Sequence, residues 1–159
     1  MTPEPLTADA FAPYGDVLEA TGQSRAINAG LCARFHDRAR LDFGPEGQAG
    51  ISIFQAECRS LPYACDLLER HPDGSQSFIP MSADPFLVIV AEDDAGHPTR
   101  PRAFLTNGSQ GVSYLRGTWH GVLTPLTGPG LFAVIDRIGD TPNLEEHRLV
   151  DPIVIKGTP

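Results

Sequence analysis

Proline and glycine interrupt this chain at short intervals along its whole length. Its 159 residues include 15 prolines and 16 glycines, which are spread out and do not gather into a low-complexity linker. Because both residue types end helices and mark turns, the spacing favours short strands joined by turns. The length is that of one ordinary domain with a substantial core, so we expect a single domain over residues 1–159.

The segments between these turns have the patterns of β-strands. Residues 86–91 form a short, continuous apolar run, which is typical of a strand covered on both faces. Residues 27–36 alternate between apolar and polar side chains, which predicts another strand. We also predict a short helix over residues 7–12, a hairpin turn at Asn107-Gly108, and strands over residues 51–54, 102–106, 112–115, 131–135 and 153–155. About eight short strands with one or two helices predict an all-β sandwich or barrel.

The segment from residue 61 to residue 70 fits both a helix and a strand. Its local propensity slightly favours a helix, in which Glu69 and His71 would point about 200° apart. In a strand, alternate side chains would form one row that is apolar inside and polar at its open end, as in a barrel pocket. That row consists of Tyr63, Cys65, Leu67, Glu69 and His71.

Residues 69–76 and the distant His120 carry the clearest chemical signal. Glu69 and His71 would share one face of a strand. The following Pro-Asp-Gly turn allows Gln76 to return toward them from the next strand. A carboxylate, an amide and two imidazoles in one pocket suit either acid–base catalysis or a divalent metal. The plainer alternative for Glu69 and His71 is a salt-bridging strand end.

Two further polar residues are candidates for substrate binding. Asn28 and Arg34 share one face of the predicted strand over residues 27–36, and the Arg34 guanidinium can bind a carboxylate with two parallel hydrogen bonds. A solvated outer face explains the same pattern equally well.

Charge and cysteine content limit the partners and the location. The formal net charge is −8, which disfavours nucleic acid and anionic membranes. The chain has neither an apolar run of about 18 residues nor the basic, apolar start of a secretory signal. Its three cysteines contain no CxxC pair, which fits reduced thiols. We therefore expect a cytoplasmic protein that acts on a small molecule.

Motifs along nearly the whole chain resemble those of the ureidoglycolate lyase family, formerly called ureidoglycolate hydrolases. The central match is Leu68-Glu69-Arg70-His71-Pro72, followed by Gln76 and Phe78-Ile79-Pro80-Met81. The other matches include Ile27-Asn28-Ala29-Gly30, Arg34-Phe35-His36-Asp37, Thr106-Asn107-Gly108, Trp119-His120 and Ile135-Asp136-Arg137. The resemblance implies a cupin-like double-stranded β-helix, which is a jelly-roll barrel, and usually a homodimer. It also implies cleavage of ureidoglycolate to glyoxylate and urea, late in allantoin degradation.

The cupin resemblance also implies positions for a metal site. Metal-binding cupins have two histidines two residues apart, a glutamate five residues later and a third histidine on a later strand. Glu69, His71, Gln76 and His120 occupy these positions, so that Glu69 replaces the first histidine and Gln76 replaces the glutamate. Nickel or a similar divalent ion is the metal that the family implies.

The expected reaction needs a base for a hydroxyl proton and an acid for the departing urea nitrogen. We expect His71 or His120 to be the base, Glu69 to donate or orient a proton, and Gln76 to bind the substrate. Two alternatives remain open. One is an amidohydrolase that releases ammonia from the same substrate, and the other is a non-catalytic module that binds a small acid.

Overall fold

The computed structural model describes residues 1–157, so the last two residues of the predicted domain lie outside the described part. In chain order the elements are β1 (Glu4–Pro5), α1 (Ala8–Phe11), β2 (Gly15–Leu18), β3 (Arg25–Ile27), a 3-10 turn (Asn28–Gly30), β4 (Cys32–Arg34), β5 (Gln48–Gln55), β6 (Tyr63–Arg70), β7 (Gln76–Pro80), β8 (Phe86–Asp94), β9 (His97–Leu105), β10 (Gly111–Tyr114), β11 (Trp119–Gly121), β12 (Thr124–Pro125), β13 (Leu131–Ile138) and β14 (Glu145–Ile155). The all-β class is therefore confirmed. The short helix begins after Thr7, whose side chain accepts a hydrogen bond from the Ala10 amide. In this part of the chain, no helix has the length and apolar character needed to cross a membrane.

Two sheets enclose the main core of the protein. One sheet has the strand order β1-β9-β8-β11-β6-β14, with β12 beside β8, and the other has the order β2-β10-β7-β13-β5. Buried aromatic rings from both sheets and from the helix meet between them, among them Phe11, Phe78, Phe104 and Phe132. This arrangement agrees with the predicted cupin-like jelly roll.

Strand β8 explains the continuous apolar run over residues 86–91. Val88 and Val90 face the core between the sheets, whereas Leu87 and Ile89 belong to a second apolar cluster. Because both faces of this strand are buried, neither face requires polar side chains.

The ambiguous segment over residues 61–70 forms a strand, β6, from Tyr63 to Arg70. It pairs with β11 on one side and with β14 on the other, and this pairing outweighs the slight helix propensity of the segment. The predicted row of alternate residues is wrong at Tyr63 and Cys65, which both pack in the second apolar cluster. Cys65 and Leu68 are three residues apart and would face opposite sides of a regular strand, yet both lie in the second apolar cluster. The register of the pairing between β6 and β14 shifts near them.

Residues 27–36 do not form the single strand that their alternation predicts. Among residues 1–157, strands β3 and β4 pair only with each other, and the turn between them reverses the chain. Asn28, Ala29 and Gly30 in this turn have φ values of 52°, 56° and 87°. Glycine adopts this left-handed conformation readily and asparagine more easily than most residues, which favours a turn at this position. Residues 25–36 are called the arm below.

The turn at Asn107-Gly108 does not join a hairpin, contrary to the prediction. Strand β9 before it pairs with β1 and β8, whereas β10 after it pairs with β2 and β7 in the other sheet. The dipeptide therefore marks a crossing between the sheets. Local sequence indicates the turn but does not determine the partners of the strands that flank it.

Candidate functional site

Three strands bring four of the predicted polar side chains together. Glu69 lies near the end of β6, His71 directly follows that strand, Gln76 begins β7, and His120 is the central residue of β11. Glu69 and His120 are direct partners in the ladder between β6 and β11. Because β7 belongs to the other sheet, Gln76 approaches His71 from the opposite wall of the barrel.

The four side chains are close enough to contact one small ligand. His71 Nε2 lies 3.1 Å from Gln76 Oε1, and His120 Nε2 lies 3.6 Å from Glu69 Oε1. One ligand atom from each of Glu69, His71 and His120 lies within 4.8 Å of the other two. The His120 side chain is 1% exposed and that of Glu69 is 21% exposed, so solvent reaches the cluster from the Glu69 side.

Backbone carbonyls fix the orientation of both imidazole rings. His71 Nδ1 lies 2.7 Å from the Asn143 carbonyl oxygen, and His120 Nδ1 lies 2.9 Å from the Thr118 carbonyl oxygen. A carbonyl oxygen only accepts hydrogen bonds, so each Nδ1 carries a proton and donates it. In a neutral ring the Nε2 atom then presents a lone pair to the site. These positioning contacts use main-chain atoms, which no side-chain motif in the sequence could reveal.

Four lone-pair atoms consequently face one another in this cluster. The Nε2 atom of His71 faces the amide oxygen of Gln76, and that of His120 faces the carboxylate of Glu69. Within residues 1–157, His120 Nε2 is buried and has no hydrogen-bond partner. Acceptors that face one another in this way need a positive charge between them, either a proton or a metal ion.

The surroundings shift the pKa values of Glu69 and His71 in the same direction. The nearby His120 ring lowers the pKa of Glu69 and His71 adds to this effect, whereas burial opposes it. The largest cause is the contact between the Glu69 carboxylate and the His120 ring, whose Nε2 atom lies 3.6 Å from Glu69 Oε1. Burial lowers the pKa of His71, and the His120 ring lowers it further. At neutral pH, Glu69 is therefore a carboxylate and His71 a neutral imidazole.

Two side chains at the border of the site were not among the predicted site residues. The ring of Tyr114 stacks on His120 with a centroid distance of 4.2 Å, and burial raises the pKa of its hydroxyl. Asp136 Oδ2 accepts a hydrogen bond of 3.4 Å from Gln76 Nε2. Tyr114 lies in the predicted strand over residues 112–115, where the alternation with buried Val112 already indicated an inward position.

The structure does not bring the other two candidates to this cluster. Asn28 and Arg34 lie on the arm and are exposed. In the described chain, no strand pairing or side-chain hydrogen bond joins the arm to the residues of the site. Their role in substrate binding stays a prediction.

Comparisons with known proteins agree on one family. The model of a family described as ureidoglycolate lyase matches residues 1–156. A protein from Rhodobacter capsulatus named ureidoglycolate lyase is 58% identical over 155 residues, which are 97% of this chain and 96% of that protein. Proteins with the same name from a Chelativorans species and from Brucella melitensis are 49% and 50% identical and cover 96% and 95% of this chain, which correspond to 93% and 90% of their own lengths.

Proposed function

Because the chain belongs to the ureidoglycolate lyase family, we propose that it cleaves ureidoglycolate to glyoxylate and urea as a step of allantoin degradation. The observation that supports this site most directly is the convergence of Glu69, His71 and His120, with the buried His120 Nε2 atom left without a partner in the described chain. The reacting carbon of the substrate carries a hydroxyl, a carboxylate and the urea nitrogen. Cleavage removes the hydroxyl proton as the carbonyl forms, and the departing nitrogen gains a proton.

Glu69 is the group best suited to move this proton. Its lowered pKa keeps it ionised, so in this proposal it acts first as an acceptor, whereas the sequence suggested that it donates or orients a proton. The hydroxyl and the urea nitrogen are attached to the same carbon. The carboxylate therefore takes the proton from the hydroxyl, the C–N electron pair moves onto the nitrogen, and Glu69 returns the proton to that nitrogen. The sum of these transfers is glyoxylate and urea, with Glu69 regenerated.

The other three side chains then hold the reacting groups. The Nε2 atom of His120 faces Glu69, and Gln76 is fixed between His71 and Asp136. His71 is the alternative proton acceptor, because it is neutral and only partly buried. The Gln76 amide has the donor and acceptor needed to bind the urea group of the substrate.

A divalent metal suits this set of donor atoms, and nickel is the ion that the family resemblance implies. Glu69, His71 and His120 would hold it, with the amide oxygen of Gln76 beside them. A single proton on His120 would satisfy Glu69 but would leave His71 Nε2 facing the Gln76 oxygen, whereas one cation satisfies both pairs. When bound, a metal supplies polarisation of the substrate oxygens, which makes the hydroxyl proton easier to remove.

Product analysis of the purified protein tests the proposed reaction. Ureidoglycolate should yield urea and glyoxylate in equal amounts, with no ammonia. Release of ammonia would instead support the amidohydrolase. Saturable binding without turnover, in protein whose metal content has been measured, would support the non-catalytic module.

The proposed partner is a second copy of the chain. The arm exposes apolar side chains, of which Leu31 is 91% exposed, and a two-stranded hairpin alone is marginally stable in water. The outer face of the five-stranded sheet also exposes a row of aliphatic side chains. Ile51 is 75% and Ile53 is 59% exposed, and Ile79 continues the row beyond Ala133. Apolar surface on both regions favours their contact across a homodimer.

Charge also favours a second copy over a different partner. The arm and the four residues that follow it, residues 25–40, contain four of the twelve Lys and Arg residues of the chain but only one of its twenty acidic residues. In the described part of the chain, Arg25, Arg34 and Arg38 form no ion pair. The remaining residues are strongly acidic, so the basic arm of one copy complements the surface of another.

Light scattering at micromolar concentration tests the homodimer. Wild-type protein should have the mass of two subunits, and Leu31→Asp should shift it toward one subunit. A wild-type mass of one subunit would overturn the homodimer, whereas an unchanged dimer in Leu31→Asp would exclude the arm from the interface.

The cytoplasmic location also stays a prediction, and the three free cysteines agree with it.

A further inference from the structure

A network of charged and aromatic side chains lies behind the strands that carry Glu69 and His120. Arg70 directly follows Glu69 and Trp119 directly precedes His120, so both point to the face opposite the site. Asp93, at the end of β8, contacts both of them. Its Oδ1 atom accepts hydrogen bonds from Trp119 Nε1 at 2.8 Å and from Arg70 Nη1 at 2.7 Å. One carboxylate oxygen therefore connects β6 to β11.

Further contacts hold the members of this network in place. Arg70 Nε donates to Glu145 Oε2 at 2.7 Å, and the Arg70 guanidinium lies 4.5 Å from the centroid of the Trp119 ring. A guanidinium over an indole face is itself an attractive contact. The second oxygen of Asp93 accepts a 3.3 Å hydrogen bond from the Gly96 amide. The carboxylate is thus fixed from both sides.

Strand β11 depends on such contacts because it is very short. It contains three residues and pairs with β6 and with β8 at two positions each. The separation of 3.6 Å between His120 Nε2 and Glu69 Oε1 is close to the limit of a hydrogen bond. A small shift of β11 relative to β6 would therefore change how these two atoms share a proton or a metal ion.

We infer that Asp93 is a positioning residue of the site, which sets the separation of Glu69 and His120 by tying Arg70 to Trp119. In the described chain the Asp93 carboxylate bonds to these two side chains and to the Gly96 amide, so it reaches the site through Arg70 and Trp119. The kinetic part of the following test rests on the proposed lyase activity, whereas its spectroscopic part does not.

Asp93→Asn tests this role, and Asp94→Asn is the matched control. Asp94 is the next residue of the same strand, is exposed and forms no side-chain hydrogen bond or ion pair among the described residues. Loss of a partner that orients ligating side chains typically lowers activity by about 10- to 100-fold, so we expect Asp93→Asn to lower kcat by about tenfold. KM should change less, and Asp94→Asn should behave as wild type. The 15N signals of the His120 ring should shift in Asp93→Asn alone.

A double-mutant cycle separates positioning from general stability. In the Glu69→Gln background the contact that Asp93 adjusts is already lost, so adding Asp93→Asn should lower kcat by less than about twofold. An equal loss in both backgrounds would show that Asp93 acts elsewhere, and unchanged His120 signals with wild-type kcat would also overturn the inference. If Asp93→Asn does not fold, Trp119→Phe removes the same hydrogen bond from the other side and should give the same pattern.

Discussion

The site and the arm differ in the origin of their contacts. At the site, the carbonyls of Asn143 and Thr118 fix the two imidazole rings, and every one of these partners belongs to the same chain. In the arm, Leu31 and Arg34 are exposed, and the two strands find no other strand partner in the part of the chain that the structure describes. The contacts that set the geometry of the site thus lie within the chain, whereas the arm exposes apolar and cationic side chains that the proposed homodimer would cover.

Glu69→Gln should produce the largest effect and should confine it to the site. The amide cannot accept the hydroxyl proton, and positioned acid–base groups typically contribute about 10²- to 10⁴-fold, so kcat/KM should fall by that amount. Urea release measures the loss, and the thermal midpoint shows whether the fold is retained. Glu146→Gln is the matched control, because Glu146 is the exposed partner of Glu69 on β14. Equal activity of the two variants would remove Glu69 from the chemistry.

Metal removal should affect the site and leave the arm unchanged. If the proposed metal is bound, dialysis against a chelator should lower urea release by at least about tenfold and nickel should restore it, because the metal would supply part of the polarisation. His71→Ala should weaken nickel binding at least about tenfold, as calorimetry can measure. Leu31→Asp should bind the metal as wild type does. Full activity of metal-free protein, verified by elemental analysis, would contradict the metal and leave the proton transfer to Glu69, or to His71 as the alternative acceptor.

The same contrast explains what the sequence could predict. Alternation and spacing placed Glu69 and His71 on one face, since the side-chain period of a strand is fixed by its backbone. The partners Asn143 and Thr118 escaped prediction because they act through carbonyls that every residue has. The arm was predicted as one strand because Ala29 and Leu31 continue the alternation. The turn at these positions depends on backbone conformations with positive φ, and alternation carries no information about them.

The irregularity at Cys65 could not be read from the sequence for a related reason. Its cause is the pairing of β6 with β14, which lies about eighty residues further along the chain. Likewise, the crossing at Asn107-Gly108 follows from which sheet each neighbouring strand joins. Contacts between distant segments decide both features, and a local pattern does not encode them.

Acid should weaken the site through Glu69 and His71, whose pKa values are both lowered. The pKa of His71 lies below its ordinary value of 6.5 and that of Glu69 below 4.5, so the folded chain binds fewer protons at these groups than the unfolded chain. Both therefore contribute stability above those ordinary values and lose it as the pH falls through the folded pKa values. We expect kcat/KM to be constant near neutrality and to fall by up to about tenfold per pH unit on an acid limb below 6.5. An acid limb with its midpoint above pH 6.5 would contradict the lowered pKa of His71.

Arg34→Gln should produce the smallest effect and provides the sharpest test of the contrast. Within the described chain, nothing joins Arg34 to the site, so kcat/KM should stay within about twofold of wild type, while the dimer should weaken through the loss of an arm cation. If Arg34 instead binds the carboxylate of the substrate, as its residue type suggests, a charge-assisted hydrogen bond worth about 1.5–3 kcal/mol would be lost and KM would rise by about 10- to 100-fold. Such a rise would mean that the arm reaches the site of a second copy, and the site would then no longer belong to one chain. Measurement of KM above and below the dimer dissociation constant distinguishes the two outcomes, because an arm that contributes across the dimer loses its effect on dilution.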